Sequence, residues 1–179
     1  MSRRDPPEED LIGVLRLHDD RPAVRLERSY AAGTADLWSA LTEPARLARW
    51  LARVEGDLRV GGDFVVYFDD VDPKQQSRGA VRDCRPTDHL QVTWLFPDEE
   101  ESQVTVDLYP LGDGATVLVL DHRRLPDYAA AGYGAGWQTY LEQLDTEVGG
   151  PPHALAWDSR WALLLPAYRT QFDDLDRST

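Results

Sequence analysis

The sequence has 179 residues, 32 of them acidic against 19 basic, and a formal net charge of −13. That length suits one domain of average size, and such a chain buries roughly 70% of its unfolded surface, so the core needs neither disulfides nor a metal. A charge of −13 repels phosphate, which excludes general nucleic-acid binding and anionic membrane surfaces as partners. Cys84 is the only cysteine, so no intrachain disulfide forms, and between Asp83 and Arg85 it reads as a passive strand residue. No apolar run approaches a membrane span. Residues 1–10 are charged, contain Pro6-Pro7 and precede no signal core, so they read as a flexible tail and the expected location is the cytoplasm. A single lysine (Lys74), a single isoleucine (Ile12) and no asparagine fit a bacterial genome of high GC content.

Residues 13–17 and 23–30 read as two strands joined through Asp19-Asp20-Arg21-Pro22. Thr34 is a suitable N-cap for a helix over 35–41, and Asp36 in its first turn suits the helix dipole. Thr42-Glu43-Pro44 ends that helix and starts a second over 45–51, with Leu47, Trp50 and Leu51 as its apolar stripe. Strand patterns follow at 54–60, around Phe64, Val66 and Phe68 after the Gly61-Gly62 turn, at 78–85, at 89–96, around Val104, Val106 and Leu108, and at 116–122. Turn spacing makes this an antiparallel meander of about seven strands.

The C-terminal part is helical. Over 127–148, Tyr133, Trp137, Tyr140 and Leu144 recur at spacings of 4, 3 and 4, although Gly132, Gly134 and Gly136 weaken the start of that helix. Gly149-Gly150-Pro151-Pro152 ends it. Residues 151–179 form a helical extension carrying Trp157, Trp161, Leu165, Tyr168 and Phe172, and Pro166 is expected to kink or split it. The fold class is therefore α+β. A curved antiparallel sheet wraps one long helix over residues 11–150, the arrangement called a helix grip, and it encloses a volume between sheet and helix.

The order and spacing of several short stretches carry a family resemblance. They are Val24-Arg25-Leu26-Glu27-Arg28, Leu37-Trp38-Ser39-Ala40-Leu41-Thr42-Glu43-Pro44, Gly61-Gly62-Asp63-Phe64, Leu90-Gln91-Val92-Thr93-Trp94 and Gly136-Trp137 with Tyr140-Leu141. Over about residues 22–148 the chain resembles the SRPBCC superfamily (START and Bet v-like folds), within the family named for the activator of the heat-shock-protein-90 ATPase. The eukaryotic co-chaperone behind that name has an additional chaperone-contacting domain. This chain has no room for one, so chaperone activation is not carried over. The resemblance implies an apolar cavity for a small hydrophobic or aromatic ligand. Some relatives are polyketide aromatase/cyclases, and others protect antibiotic producers from a reactive enediyne.

The residues themselves carry little classical chemistry. His18, His89, His122 and His153 have no i,i+4 pair or other metal-ligand spacing, and Asp69-Asp70-Val71-Asp72 lacks the glycine and glutamate of a calcium loop. No metal, cofactor or catalytic residue is assigned. Asp121 shares parity with Val117 and Val119 and reads first as an aspartate near the mouth of the sheet in contact with water, the alternative being a buried, inward position with Arg82 or Arg123 as partner, whereas Asp107 falls on the solvent face. The candidate ligand-binding set is Trp50, Phe64, Val66, Phe68, Trp94, Phe96, Tyr133, Trp137 and Tyr140. The expected function is noncatalytic binding of a small hydrophobic or aromatic molecule, linked to natural-product metabolism or self-resistance, by a monomer or homodimer. One alternative is a cyclase using Tyr133, Tyr140, Asp121 and an arginine to favour an enolate. Another is an interaction module built on the C-terminal aromatic segment. The acidic stretches at 8–10, 69–72, 98–101 and 173–176 make a solvated rim, which disfavours an anionic ligand.

Overall fold

The computed structural model describes residues 11–176, so the expected tail at 1–10 lies outside the described residues. Strands β1 (Gly13–His18) and β2 (Arg21–Tyr30) form the first hairpin. Asp19 and Asp20 make its two-residue loop with φ of 51° and 59°, the left-handed turn geometry that matches strand twist and that short polar side chains tolerate. Helices α1 (Thr34–Thr42) and α2 (Pro44–Trp50) follow. Gly33, not Thr34, occupies the N-cap of α1, and no side chain caps it. Pro44 takes the first turn of α2, where its missing N–H costs nothing.

Six strands continue the chain: β3 (Arg53–Gly56), β4 (Asp63–Tyr67), β5 (Gln76–Arg85), β6 (His89–Trp94), β7 (Ser102–Pro110) and β8 (Thr116–Arg123). The strand pattern at 54–60 stops at Gly56, where φ of 131° turns the chain and the Asp57 amide bonds the Asp63 carbonyl. All eight strands pair antiparallel in the order β1-β2-β8-β7-β6-β5-β4-β3, one strand more than the turn spacing counts. Only the β2–β8 pairing joins strands distant in sequence. It brings the first hairpin to the end of the meander and leaves α1 and α2 to close one side of the curve.

Helix α3 (Ala130–Glu147) lies on the concave face and buries Trp137, Leu141 and Leu144 against it. Each such leucine contributes about 1.5–3 kcal/mol of transfer energy. Helix α4 (Trp157–Asp176) packs on α3 and β1. Gly134 makes this approach feasible, because a Cβ there would sit 2.6 Å from the Tyr168 ring. That contact explains a glycine in a helix it weakens.

Helix α4 runs through Pro166 without splitting. Pro166 and Ala162 are both exposed, so the carbonyl that loses its N–H partner is on the solvent side. Leu164, Leu165 and Tyr168 are buried, so much of the C-terminal stripe is consumed inside the molecule. Tyr168 Oη donates to Gln138 Oε1 at 2.7 Å, and Arg160 grips both oxygens of Glu142 at 2.8 Å. No helix among the described residues is long and apolar enough to cross a membrane.

Candidate ligand-binding cavity

Antiparallel register stacks the inward residues of the meander into rows. Val81, Val92, Val104 and His122 make one row, and Cys84, Leu90, Val106 and Leu120 make the next. Val81 and Cys84 are three residues apart, which in a regular strand would place them on opposite faces. The register shift between Val81 and Asp83 absorbs one residue and turns both inward. Period-two reasoning does not anticipate that bulge, and Cys84 therefore joins a wall it was not assigned to.

Between these rows, α3 and the α1–α2 pair lies a cavity of about 200 Å³. The sheet supplies Phe64, Val66, Trp94, Leu118 and both rows except His122, α3 supplies Trp137 and Leu141, and α1–α2 supply Trp38, Leu41, Leu47 and Trp50. Among the described residues, no charged one lines it. Its one thiol, Cys84, is held above the ordinary thiol range by burial and by the Asp83 charge.

Of the nine sequence candidates, Trp50, Phe64, Val66, Trp94 and Trp137 line this cavity, and Phe68, Phe96, Tyr133 and Tyr140 do not. Those four stand in an adjacent aromatic cluster. The Phe68 ring is 6.0 Å from Trp94, 6.5 Å from Phe96 and 6.1 Å from Tyr140. Tyr140 continues to Trp157 of α4 at 5.2 Å, and Trp157 stacks on Trp161 at 6.2 Å. Burial, reinforced by a 2.6 Å bond to Glu99, pushes the Tyr133 hydroxyl pKa up, and burial raises Glu99 as well.

Trp94 and Trp137 border both regions, and behind them runs a buried polar chain. The Trp137 indole donates to His122 Nδ1 at 2.9 Å, His122 Nε2 meets Ser102 Oγ at 2.7 Å, and Ser102 Oγ donates to the Trp94 carbonyl at 3.0 Å. An indole nitrogen only donates, so Nδ1 accepts and the proton of the neutral ring sits on Nε2. Every group then has one partner. Complete burial depresses the His122 pKa to about 3, which keeps the ring neutral. With its Nε2 already protonated, His122 does not serve as a base for Ser102, so this pair is structural. The sequence weighs His122 only as a metal ligand. Its signal was the even-numbered parity it shares with Leu118 and Leu120.

Asp121 is a correction to the expected parity. Leu118, Leu120 and His122 face α3, so Asp121 lies on the opposite face of β8. There it is buried beneath Arg16 and Arg123, with Arg123 Nη2 at 3.0 Å. Asp107 pairs across the strands with His89 Nδ1 at 2.6 Å. In the 69–72 loop, Asp69 Oδ1 accepts the Val71 and Asp72 amides at 2.7 and 2.9 Å. Those backbone bonds lower its pKa and define a solvated turn.

Comparison with known proteins places this architecture. The profile of the family described as "activator of Hsp90 ATPase homolog 1-like protein" matches residues 31–149, more than half of the chain. The chain belongs to this family. Among solved structures, the family member is similar to CalU16 from Micromonospora echinospora, at 23% identity over 90% of this chain and 96% of that one, with a TM-score of 0.74. At that identity the likeness shows the fold alone. Protein CV1439 from Chromobacterium violaceum is 27% identical over 72% of this chain and 98% of its own, with a TM-score of 0.62. DynU16, described as a protein in the dynemicin biosynthetic locus, is 29% identical over 72% of this chain and 48% of its own, with a TM-score of 0.63. No curated protein matches the chain.

Proposed function

We propose that this family member binds a small, uncharged, aromatic or otherwise apolar molecule in the cavity between the sheet and α3, and that it does so without chemistry. The carrying observation is the cavity of about 200 Å³ with no charged group on its wall. An apolar cavity of about 150 Å³ stays dry and takes up benzene, so this volume suits one or two fused rings. An ionised ligand buried here would lack a partner. The likeness to DynU16 supports a role in natural-product metabolism, with self-resistance as the special case.

The cyclase reading loses its proposed machinery, because Tyr133, Tyr140 and Asp121 lie outside the cavity wall. The interaction reading weakens as well, since Leu164, Leu165 and Tyr168 of α4 are spent against the domain.

The deciding experiment is titration of tryptophan fluorescence with naphthalene and with naphthoate, because Trp50, Trp94 and Trp137 line the cavity. Saturable quenching by naphthalene and none by naphthoate is expected. Silence toward naphthalene and other neutral aromatics overturns the reading. Resistance conferred on a sensitive host tests the special case.

A further inference from the structure

Helix α4 lies beyond residue 149, where the family profile ends, and it packs on β1 as well as on α3. β1 is an edge of the eight-stranded sheet, with β2 as its only partner strand. The Ile12 carbonyl accepts the Glu27 amide of β2, so by alternation the backbone groups of Gly13, Leu15 and Leu17 point away from the sheet. Such a row of free groups is a template for pairing with another chain. Helix α4 covers its first half. The Gln171 side-chain amide accepts the Leu15 N–H at 2.9 Å and donates to the Gly13 carbonyl at 3.2 Å, so one side chain makes two bonds that a neighbouring strand would make. Tyr168 Oη stands over Gly13, where any side chain would collide with it, and donates to Gln138 Oε1, which also accepts the Ile12 N–H at 3.3 Å. The second half is bare. Among the described residues nothing on this edge bonds the Leu17 N–H or the Leu15 carbonyl, and Val14 and Leu17 are 60% and 40% exposed.

We propose that α4 is a guard on the β1 edge: the Gln171 amide occupies the backbone positions through which a second copy of this chain would pair β1 with β1, and so keeps the protein monomeric. Three features make a second copy the occupant that the guard excludes. The strand reads Gly13-Val14-Leu15-Arg16-Leu17-His18 and carries no acidic residue, so two copies meet there without the repulsion that a net charge of −13 imposes elsewhere. It has no proline, lysine or register shift to blunt the edge, the devices by which exposed edges usually avoid pairing. An antiparallel β1–β1 contact is also isologous, so the strand is its own complement. The two bonds from Gln171 stand in for the missing devices, and α4 thereby has a task separate from the cavity.

Sedimentation of the wild-type protein and of Gln171→Ala over a range of concentrations tests this. The wild type should stay monomeric, and the variant should form dimers as its concentration rises. In the dilute, monomeric variant the Leu15 amide should exchange with deuterium about tenfold faster or more, because it has lost its acceptor. Adding Leu17→Lys, which puts a charge on the bare half of the edge, should return the variant to a monomer. Gln171→Glu replaces Gln171→Ala if the latter does not fold, since it keeps the side-chain length and, as a carboxylate, cannot donate to the Gly13 carbonyl. A wild-type dimer, a variant that remains monomeric, or a variant dimer untouched by Leu17→Lys overturns the proposal.

Discussion

The space between the sheet and α3 has two halves with opposite fillings. On the α1–α2 side, valines and leucines from β5 to β8 leave about 200 Å³ open. On the α4 side, Phe68, Phe96, Tyr133 and Tyr140 close ring upon ring, and Trp157 seals them from α4. Trp94 and Trp137, 5.4 Å apart, form the partition. One curved sheet and one helix therefore make both a cavity and a packed core. Where the valines and leucines of β5 to β8 face the helix the gap stays open, and where Phe68, Phe96 and Tyr140 face one another it closes.

Five tests break or sharpen that contrast. The largest effect is expected from Trp137→Ala, which removes the partition and leaves His122 Nδ1 without its donor. Unfolding in denaturant should show a loss of about 3–5 kcal/mol. Acid titration comes next. Folded His122 stays neutral down to about 3, whereas in the unfolded chain the ring takes a proton near 6.5. The unfolded state therefore binds more protons between those values. Stability should fall as pH is lowered through that window, at up to about 1.4 kcal/mol per unit. A His122→Gln variant that keeps the same slope would assign the effect to carboxylates instead.

Two substitutions then separate the halves. Val92→Phe fills the open side, so naphthalene affinity should drop by about tenfold or more while stability changes by at most about 1–3 kcal/mol. Phe68→Leu loosens the packed side, costing about 1 kcal/mol and leaving naphthalene affinity unchanged. Equal effects of the two on binding would mean that the halves form one site. The smallest change is expected from Tyr140→Phe. Its hydroxyl makes no hydrogen bond among the described residues, and stability should stay within about 0.5 kcal/mol in thermal unfolding.

Much of the fold was legible because alternation and helical spacing are local properties. Leu90, Val92 and Trp94 alternate in the sequence and face inward in the structure, and Trp137, Leu141 and Leu144 mark the buried face of α3. The site was legible only in part. Trp50, Phe64, Val66, Trp94 and Trp137 reach the cavity, but being aromatic does not tell a lining ring from a filling one. Asp121 shows how parity alone misleads. Alternation gives two faces without labelling which is concave, and the Arg16 and Arg123 cover buries an aspartate on the other face.

By itself the sequence determined the element order, the helix-grip class and a net charge of −13. These follow from periodicity, turn residues and charge, which act over a few neighbouring residues. Tertiary structure decided which half of the interior stays open, that Cys84 turns inward at a bulge, and that Pro166 leaves α4 unbroken. Each of these depends on where distant strands and helices meet. The balance between a filled and an open interior is set by packing across that meeting, not by any local stretch of chain.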